Sequence, residues 1–255
     1  MERPTHILKT SDYKLFKQMP GNRVINHENV DNIVESIKKN NKLHVHPIIV
    51  NEEMYVIDGQ HRLVAAVKLN VPIYYVVSSG KDELEDAYEH IMSANINQKS
   101  WSIEDFLHLY AIKNNDEDYK QFIAMMSKLK LRARALIGLI FGGNTGHIVE
   151  SMKIGKFKMP DDKAQNEHVC NQYLQFQEFV QKRKLKPFSM FTTYHFCSAF
   201  RMLLINESCE ISLFFSKLEN RWFELKPQGT SREWFKILIG IYNWKNSNKI
   251  EQAVA

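Results

Sequence analysis

Apolar residues in the first third of the chain come in short runs separated by polar turns. The runs at 47–50 and 54–57 flank the polar pair Glu52-Glu53, and another apolar run begins at Leu63. This pattern predicts a strand, a turn, a second strand, a sharp turn at Gly59 and then a helix. The first part of the chain, to about residue 79, therefore alternates short strands with helices.

From residue 81 onward the apolar spacing is helical. Ser102, followed by Glu104 and Asp105, predicts an N-cap and a helix with an apolar face behind it. Further helices are predicted over 81–95, 119–129 and 133–141. Gly142-Gly143-Asn144 tolerates a left-handed backbone and is predicted to end the helix over 133–141. Thr145 is predicted to cap a further helix. Two short helices with a tight break between them fit a helix-turn-helix.

The last third is predicted to be all-helical, with helices over 163–182, 188–205, 209–221 and 231–245. Aromatic residues recur there at helical spacing, from Tyr173 to Trp244. This spacing favours a packed core, and a dimerisation surface is the alternative.

Composition narrows the class of protein. The 255 residues carry a net charge of +5, and no apolar run approaches the roughly 20 residues that span a bilayer. The N-terminus lacks the apolar core of a signal peptide. Cys170, Cys197 and Cys209 lie far apart, which indicates free thiols in a reducing cytoplasm and not a disulfide framework or a zinc site. The mildly basic balance is compatible with nucleic-acid binding.

The sequence Asp58-Gly59-Gln60-His61-Arg62 stands where the second strand meets the helix. A glycine turn at a helix start leaves backbone N–H groups unpaired, and the helix dipole favours an anion there. His61 and Arg62 add donors that suit phosphate. The segment predicts a phosphate site, while a strand-to-helix corner with a solvated arginine is the alternative.

A basic stretch precedes the helix predicted at 133–141. Lys130, Arg132, Arg134 and Asn144 are the residues expected to contact DNA, mainly through phosphates. A solvated corner between two helices is the alternative reading.

Residues 22–77 resemble the N-terminal domain of the ParB/sulfiredoxin superfamily. Five features occur in the family's order: the first box at 20–23, the "LxxSIxxxG" helix at 30–40, the "PIxV" strand at 47–50, the "GERRxxAA" phosphate motif at 58–66 and the "VPxxV" strand at 71–77. The resemblance implies an α+β protein, in which a small mixed α/β domain precedes a mostly helical region with a helix-turn-helix. The division expected is 1–80, 81–160 and 161–255.

The superfamily includes partition proteins that bind CTP and DNA, sulfiredoxin, and kinases that phosphorylate free serine. Gln60 stands where sulfiredoxin-like proteins carry a catalytic cysteine, so sulfiredoxin chemistry is excluded. The form Asp-Gly-Gln-His-Arg resembles ParB-like proteins of phages and mobile elements. Because the serine kinases have a related motif, the resemblance makes Asp58 and His61 candidate catalytic residues.

The resemblance also implies a set of residues for CTP or ATP with Mg²⁺. Those expected to hold the nucleotide are Asn22, Arg23, Gly59, Gln60, His61, Arg62 and Asn95. Partition proteins use a Glu-Asn-x-x-Arg segment beside the metal, and here Asn95 is retained while Ala94 and Gln98 replace the glutamate and the arginine. Asn95 is thus the candidate metal ligand, and the loss of a carboxylate weakens the case for efficient hydrolysis.

The sequence therefore predicts a cytoplasmic, ParB-like, DNA-binding protein of partition or regulatory type, active as a homodimer and without membrane contact. Abundant asparagine and lysine are typical of an AT-rich genome, such as a phage or plasmid of a low-GC bacterium. A weak NTPase or a nucleotide-dependent kinase of a small molecule is one alternative. An interaction module that has lost nucleotide binding is the other.

Overall fold

In its described residues the chain forms a small mixed sheet and a set of helices, which is the α+β class that the sequence predicts. The structure is a computed structural model that describes residues 6–78, 101–143 and 145–251. The chain divides into two units, Met1–Asn115 and Asp116–Ala255. The sheet belongs to the first unit, and the second unit is helical in its described residues.

The sheet has five strands: β1 Leu8–Thr10, β2 Lys17–Gln18, β3 Ile48–Val50, β4 Tyr55–Asp58 and β5 Ile73–Val77. Their order is β1-β5-β3-β4-β2. β3 pairs parallel to β5 and antiparallel to β4, while β4 pairs parallel to β2. The predicted strands at 47–50 and 54–57 are confirmed. β1 and β2 were not predicted, because they are short, mostly exposed edge strands without an apolar alternation.

The first unit contains three described helices, α1 His27–Lys39, α2 Gln60–Leu69 and α3 Ile103–Lys113. Asn26 caps α1, since its side chain accepts a hydrogen bond from the N–H of Asn29. Val30, Val34 and Ile37 recur along one face of α1 and pack into the core with Ile48 and Ala65. The predicted cap at Ser102 is confirmed as a reciprocal capping box with Asp105. The helix predicted over 81–95 falls outside the described residues.

The second unit contains α4 Glu117–Leu129, α5 Ala133–Ile140, α6 Gly146–Lys153, α7 Lys163–Lys182, α8 Tyr194–Leu204, α9 Ile211–Arg221 and α10 Ser231–Asn243. The prediction of one helix over 188–205 is wrong. A 3-10 helix, Phe188–Thr192, comes first, and extended Thr193 then caps α8 by accepting from the N–H of Phe196. Thr145 precedes α6 as predicted, but its side chain makes no capping bond.

The core of the second unit is aromatic and closely packed. Phe176, Phe196 and Phe200 are fully buried, with ring centroids 4.9–5.7 Å apart, and Trp234 lies 5.0 Å from Phe196. For these residues the predicted core role is confirmed. Gly138 permits α5 to approach α8, because a Cβ there would lie 2.8 Å from the backbone oxygen of Tyr194.

The three cysteines are free thiols, as predicted. Burial raises the pKa of Cys170 and of Cys209 to about 11, so both stay protonated near neutral pH. Within the described residues, no group of three His, Cys, Asp or Glu side chains could hold a metal ion. The same part of the chain contains no helix that is long and apolar enough to cross a membrane.

Candidate functional site

A cavity of about 170 Å³ opens in the first unit at the junction of β4 and α2. Three stretches of the chain line it: the loop at 22–23, the α1 residues Asn29 and Ile33, and the segment 57–62. The fold thus brings the predicted nucleotide residues Asn22, Arg23, Gly59, Gln60, His61 and Arg62 to one place, together with Asp58.

Gly59 forms the turn that leads into α2. Its backbone is left-handed, with φ 91° and ψ 17°, and it occupies the N-cap position without a side-chain cap. A Cβ at this position would lie 2.6 Å from Cγ2 of Ile48 and 2.7 Å from Nη2 of Arg62. Glycine is therefore required both for the backbone conformation and for the space between β3 and α2.

Arg62 turns back from α2 toward the sheet. Its Nη2 donates to Oδ2 of Asp58 at 2.8 Å and to the backbone oxygen of Pro47 at 3.3 Å. Both partners of the ion pair are mostly buried, with side-chain exposures of 21% for Arg62 and 14% for Asp58. Nε of Arg62 is also buried and has no hydrogen bond within the described residues. The guanidinium thus retains a donor that nothing in this part of the chain satisfies.

His61 accepts a hydrogen bond at Nε2 from the backbone N–H of Asn26, at 3.0 Å. This contact requires an unprotonated Nε2 and links the start of α2 to the cap of α1. Burial lowers the pKa of His61 below its usual value, and the positive charge of Arg23 lowers it further. The lowered pKa favours the neutral form of His61 near neutral pH, and its Nε2 is already engaged.

Gln60 and Asn22 fasten the loop that closes one side of the cavity. Nε2 of Gln60 donates to the backbone oxygen of Arg23 at 2.9 Å, and Nδ2 of Asn22 donates to the backbone oxygen of Val56 at 3.1 Å. Gln60 is only 9% exposed, yet its Oε1 has no hydrogen-bond partner in the described chain. A buried polar atom without a partner is costly, so we expect this oxygen to accept a hydrogen bond from a group outside the described residues, such as a ligand or a water.

Arg23 is positioned by two residues that sequence reasoning did not assign to the site. Its guanidinium lies 5.4 Å from the ring centroid of Trp101, and its Nε lies 3.9 Å from Oδ2 of Asp105. Asp105 also completes the capping box of α3. In the sequence, Trp101 and Ser102 come soon after the segment 94–98, which was predicted to lie beside the metal. That position could have indicated that Trp101 and Asp105 belong to the site. The predicted metal ligand Asn95 itself lies outside the described residues.

The residues present suit phosphate better than a metal ion. The first turn of α2 supplies N–H groups, and Arg23 and Arg62 supply charged donors, which is the donor set that a phosphate requires. Asp58 provides a carboxylate among the lining residues, but Arg62 already engages it. A Mg²⁺ ion held here would therefore rely on oxygens of the nucleotide in addition to the protein.

The predicted DNA-binding residues lie in the second unit. Lys130 and Arg132 lie in the turn between α4 and α5, Arg134 lies in the first turn of α5, and all three are exposed. α5 itself is buried in seven of its eight positions, and Arg134 is the exposed one. A helix without an exposed face cannot lie along a DNA groove, so α5 cannot serve as a recognition helix. Asn144 lies outside the described residues.

Comparisons with known proteins give little beyond this geometry. No family model matches the chain, and no curated protein matches it either. Among solved structures, one described as "Structure of the C2221 form of Pnob8-like ParB-N domain" is similar over 95% of this chain and 100% of that chain, with 14% sequence identity and a TM-score of 0.36.

Proposed function

We propose that the first unit is a ParB-like nucleotide-binding domain whose cavity takes the phosphates of CTP or ATP. The observation that carries this proposal is that two residues lining the cavity, Gln60 and Arg62, each have a buried polar atom, Oε1 and Nε respectively, without a hydrogen bond within the described residues. Together with the left-handed turn at Gly59, they form a polar pocket at a helix start, which is an environment that binds phosphate.

The size of the cavity favours phosphates over a whole nucleotide. Its volume of about 170 Å³ is below the roughly 300–1,000 Å³ of pockets that enclose a drug-sized ligand. The base and ribose would therefore lie outside it. Arg23, held against Trp101 at 5.4 Å, is the residue we assign to the outer end of the ligand.

A substitution in the ion pair between Asp58 and Arg62 distinguishes a nucleotide-binding function from the kinase alternative. A phosphate must compete with Asp58 for Arg62, so Asp58→Asn should free the guanidinium and tighten nucleotide binding. If Asp58 were instead the base of a kinase, the same substitution would abolish phosphate transfer to the acceptor. The contact of Asp58 with Arg62 at 2.8 Å favours the binding role.

Isothermal titration of the full chain with CTP, ATP and GTP, each with Mg²⁺, tests this function. Arg62→Ala should weaken binding by about 10- to 100-fold, the range for a hydrogen bond to a charged group. The matched control is Lys68→Ala, which removes an exposed cation from the same helix, where it pairs with Asp31 at 2.6 Å. Unchanged binding in Arg62→Ala would refute the proposal, as would equal losses in both variants.

We propose that the second unit binds DNA through phosphate contacts from Lys130, Arg132 and Arg134. Residues 116–255 contain 21 Lys and Arg against 14 Asp and Glu, whereas residues 1–115 contain 13 against 15. The positive charge of the chain thus resides in the helical unit. We assign the reading helix of the predicted helix-turn-helix to α6, on which His147 and Glu150 are exposed.

The salt dependence of duplex binding tests the DNA contacts. The slope of log K against log salt is negative, and each lost phosphate contact should reduce its magnitude by about 0.9, so replacing all three cations with alanine should reduce it by about 2.7. The control replaces three other exposed cations of this unit, Lys163, Arg232 and Lys236. An equal change of slope in both triple variants would mean that this turn is not the contact.

A further inference from the structure

Two large aromatic side chains lie exposed next to each other just after α9. Trp222 is 36% exposed and Phe223 is 53% exposed, in the 3-10 helix Trp222–Glu224. Their ring centroids are 6.5 Å apart. By contrast, Phe214 and Trp234 of the same unit are buried, at 0% and 1%. The two exposed rings therefore do not complete the core.

Cations border these rings. The Arg221 guanidinium lies 5.4 Å from the centroid of Phe223 and 5.3 Å from that of Trp244, so it sits between the two rings. Nζ of Lys245 lies 4.9 Å from the Trp244 ring. Rings and cations thus alternate from Phe223 to Lys245. We call the five residues Trp222, Phe223, Trp244, Arg221 and Lys245 the aromatic–basic surface.

Charge indicates what this surface would bind. Arg221 forms an ion pair with Glu224, which neutralises it locally, but Lys245 is exposed. Lys226, also exposed, follows three residues after Phe223. The unit as a whole carries seven more basic than acidic residues, 21 against 14. Exposed aromatic faces beside cations complement a flexible polyanion that carries its own planar rings.

We propose that the aromatic–basic surface binds single-stranded nucleic acid, with bases stacked on Trp222 and Phe223 and the phosphate backbone near Lys226 and Lys245. Stacking requires bases whose faces are free, which a duplex does not offer. An exposed ring pair is therefore of little use against duplex DNA and well suited to a single strand. This inference does not depend on the nucleotide cavity or on Lys130, Arg132 and Arg134.

Fluorescence anisotropy on the full chain tests the proposal. The probe is a fluorescein-labelled oligo(dT) of about 15 nucleotides, within the known site sizes of single-strand binders. An oligo(U) of equal length distinguishes RNA from DNA, and a duplex of the same length is the competitor. Duplex binding, which is assigned to Lys130, Arg132 and Arg134, should be the same in the wild type and in Phe223→Ala, whereas single-strand binding should differ. Phe223→Ala should weaken binding by about 5- to 100-fold, the value of one stacked base.

Two further variants separate stacking from general effects. Phe223→Tyr retains a π face and should retain affinity for the oligonucleotide. Ile205→Ala removes an apolar side chain of comparable exposure, 44%, from the same unit and should leave binding unchanged. Binding should also quench tryptophan fluorescence in the wild type, and more weakly in Trp222→Phe, since Trp222 is proposed to stack.

Three results would overturn the proposal. The first is absence of binding to both oligonucleotides, and the second is full affinity in Phe223→Ala. The third comes from sedimentation velocity: if Phe223→Ala converts a wild-type dimer to a monomer without changing oligonucleotide affinity, the surface is a subunit interface. Far-UV circular dichroism of each variant confirms that its helices are intact.

Discussion

Gly59→Ala should destabilise the first unit and disturb the nucleotide site together. A non-glycine residue in a left-handed conformation costs about 1–2 kcal/mol, and φ at Gly59 is 91°. The added Cβ would also lie 2.6 Å from Cγ2 of Ile48, a fully buried strand residue that cannot easily move aside. Such overpacking costs about 1–3 kcal/mol. The total is about 2–5 kcal/mol, a large fraction of the roughly 5–15 kcal/mol that stabilises a domain.

Urea unfolding followed by circular dichroism and tryptophan fluorescence measures this loss. Trp101 belongs to the first unit, and Trp222, Trp234 and Trp244 belong to the second, so the transitions of the two units can be assigned. The midpoint of the first unit should fall while its m-value stays constant, because the surface exposed on unfolding is unchanged.

Gly240→Ala provides the matched control. Gly240 lies within α10, and a Cβ there would meet no atom within 4 Å. The same substitution should therefore stabilise the second unit by about 0.5–1 kcal/mol, through the better helix propensity of alanine. A Gly59→Ala protein as stable as the wild type would refute the reasoning, and so would two glycine variants that lose stability equally.

The remaining predictions concern helix packing and pH. Gly138→Ala should destabilise the second unit by about 1–3 kcal/mol in the same urea experiment, since its Cβ would lie 2.8 Å from the backbone oxygen of Tyr194; a gain in stability would contradict the close approach of α5 and α8. Burial depresses the pKa of His61 in the folded state, so between the folded and unfolded pKa values the unfolded chain binds more protons. The stability that neutral His61 contributes is therefore fully present above the unfolded pKa of about 6.5, and it is lost as pH falls through the folded pKa. His61→Asn should therefore reduce the rise in stability between about pH 5 and 7, and a variant with the wild-type pH profile would show that His61 does not titrate in this way.

Much of the candidate site was predictable because its signals are local. A glycine between an apolar strand and an apolar helix start predicts a sharp turn, and the structure places Gly59 there with a left-handed backbone. The capping box of Ser102 and Asp105 likewise follows from residues three positions apart. Such features depend on a few neighbouring residues, so the sequence alone determines them.

Other features depend on residues that only the fold brings together. The sequence predicts Arg62 as a phosphate donor, but its contact with Pro47 requires β3 to lie beside the start of α2. The sequence predicts a helix at α5, yet its burial, which excludes it as a recognition helix, results from packing against other helices such as α8.

The sequence by itself therefore determined β3, β4, the glycine turn and most of the described helices, together with the aromatic composition of the helical unit. It did not determine the edge strands β1 and β2 or the 3-10 helix Phe188–Thr192. The tertiary structure decided that Arg62 is paired with Asp58, that the pKa of His61 is lowered by burial, and that Trp222 and Phe223 remain exposed among aromatic residues that are otherwise largely buried. The reason is physical: backbone conformation responds to near neighbours along the chain. Burial, ion pairing and pKa depend on which distant residues share the same space.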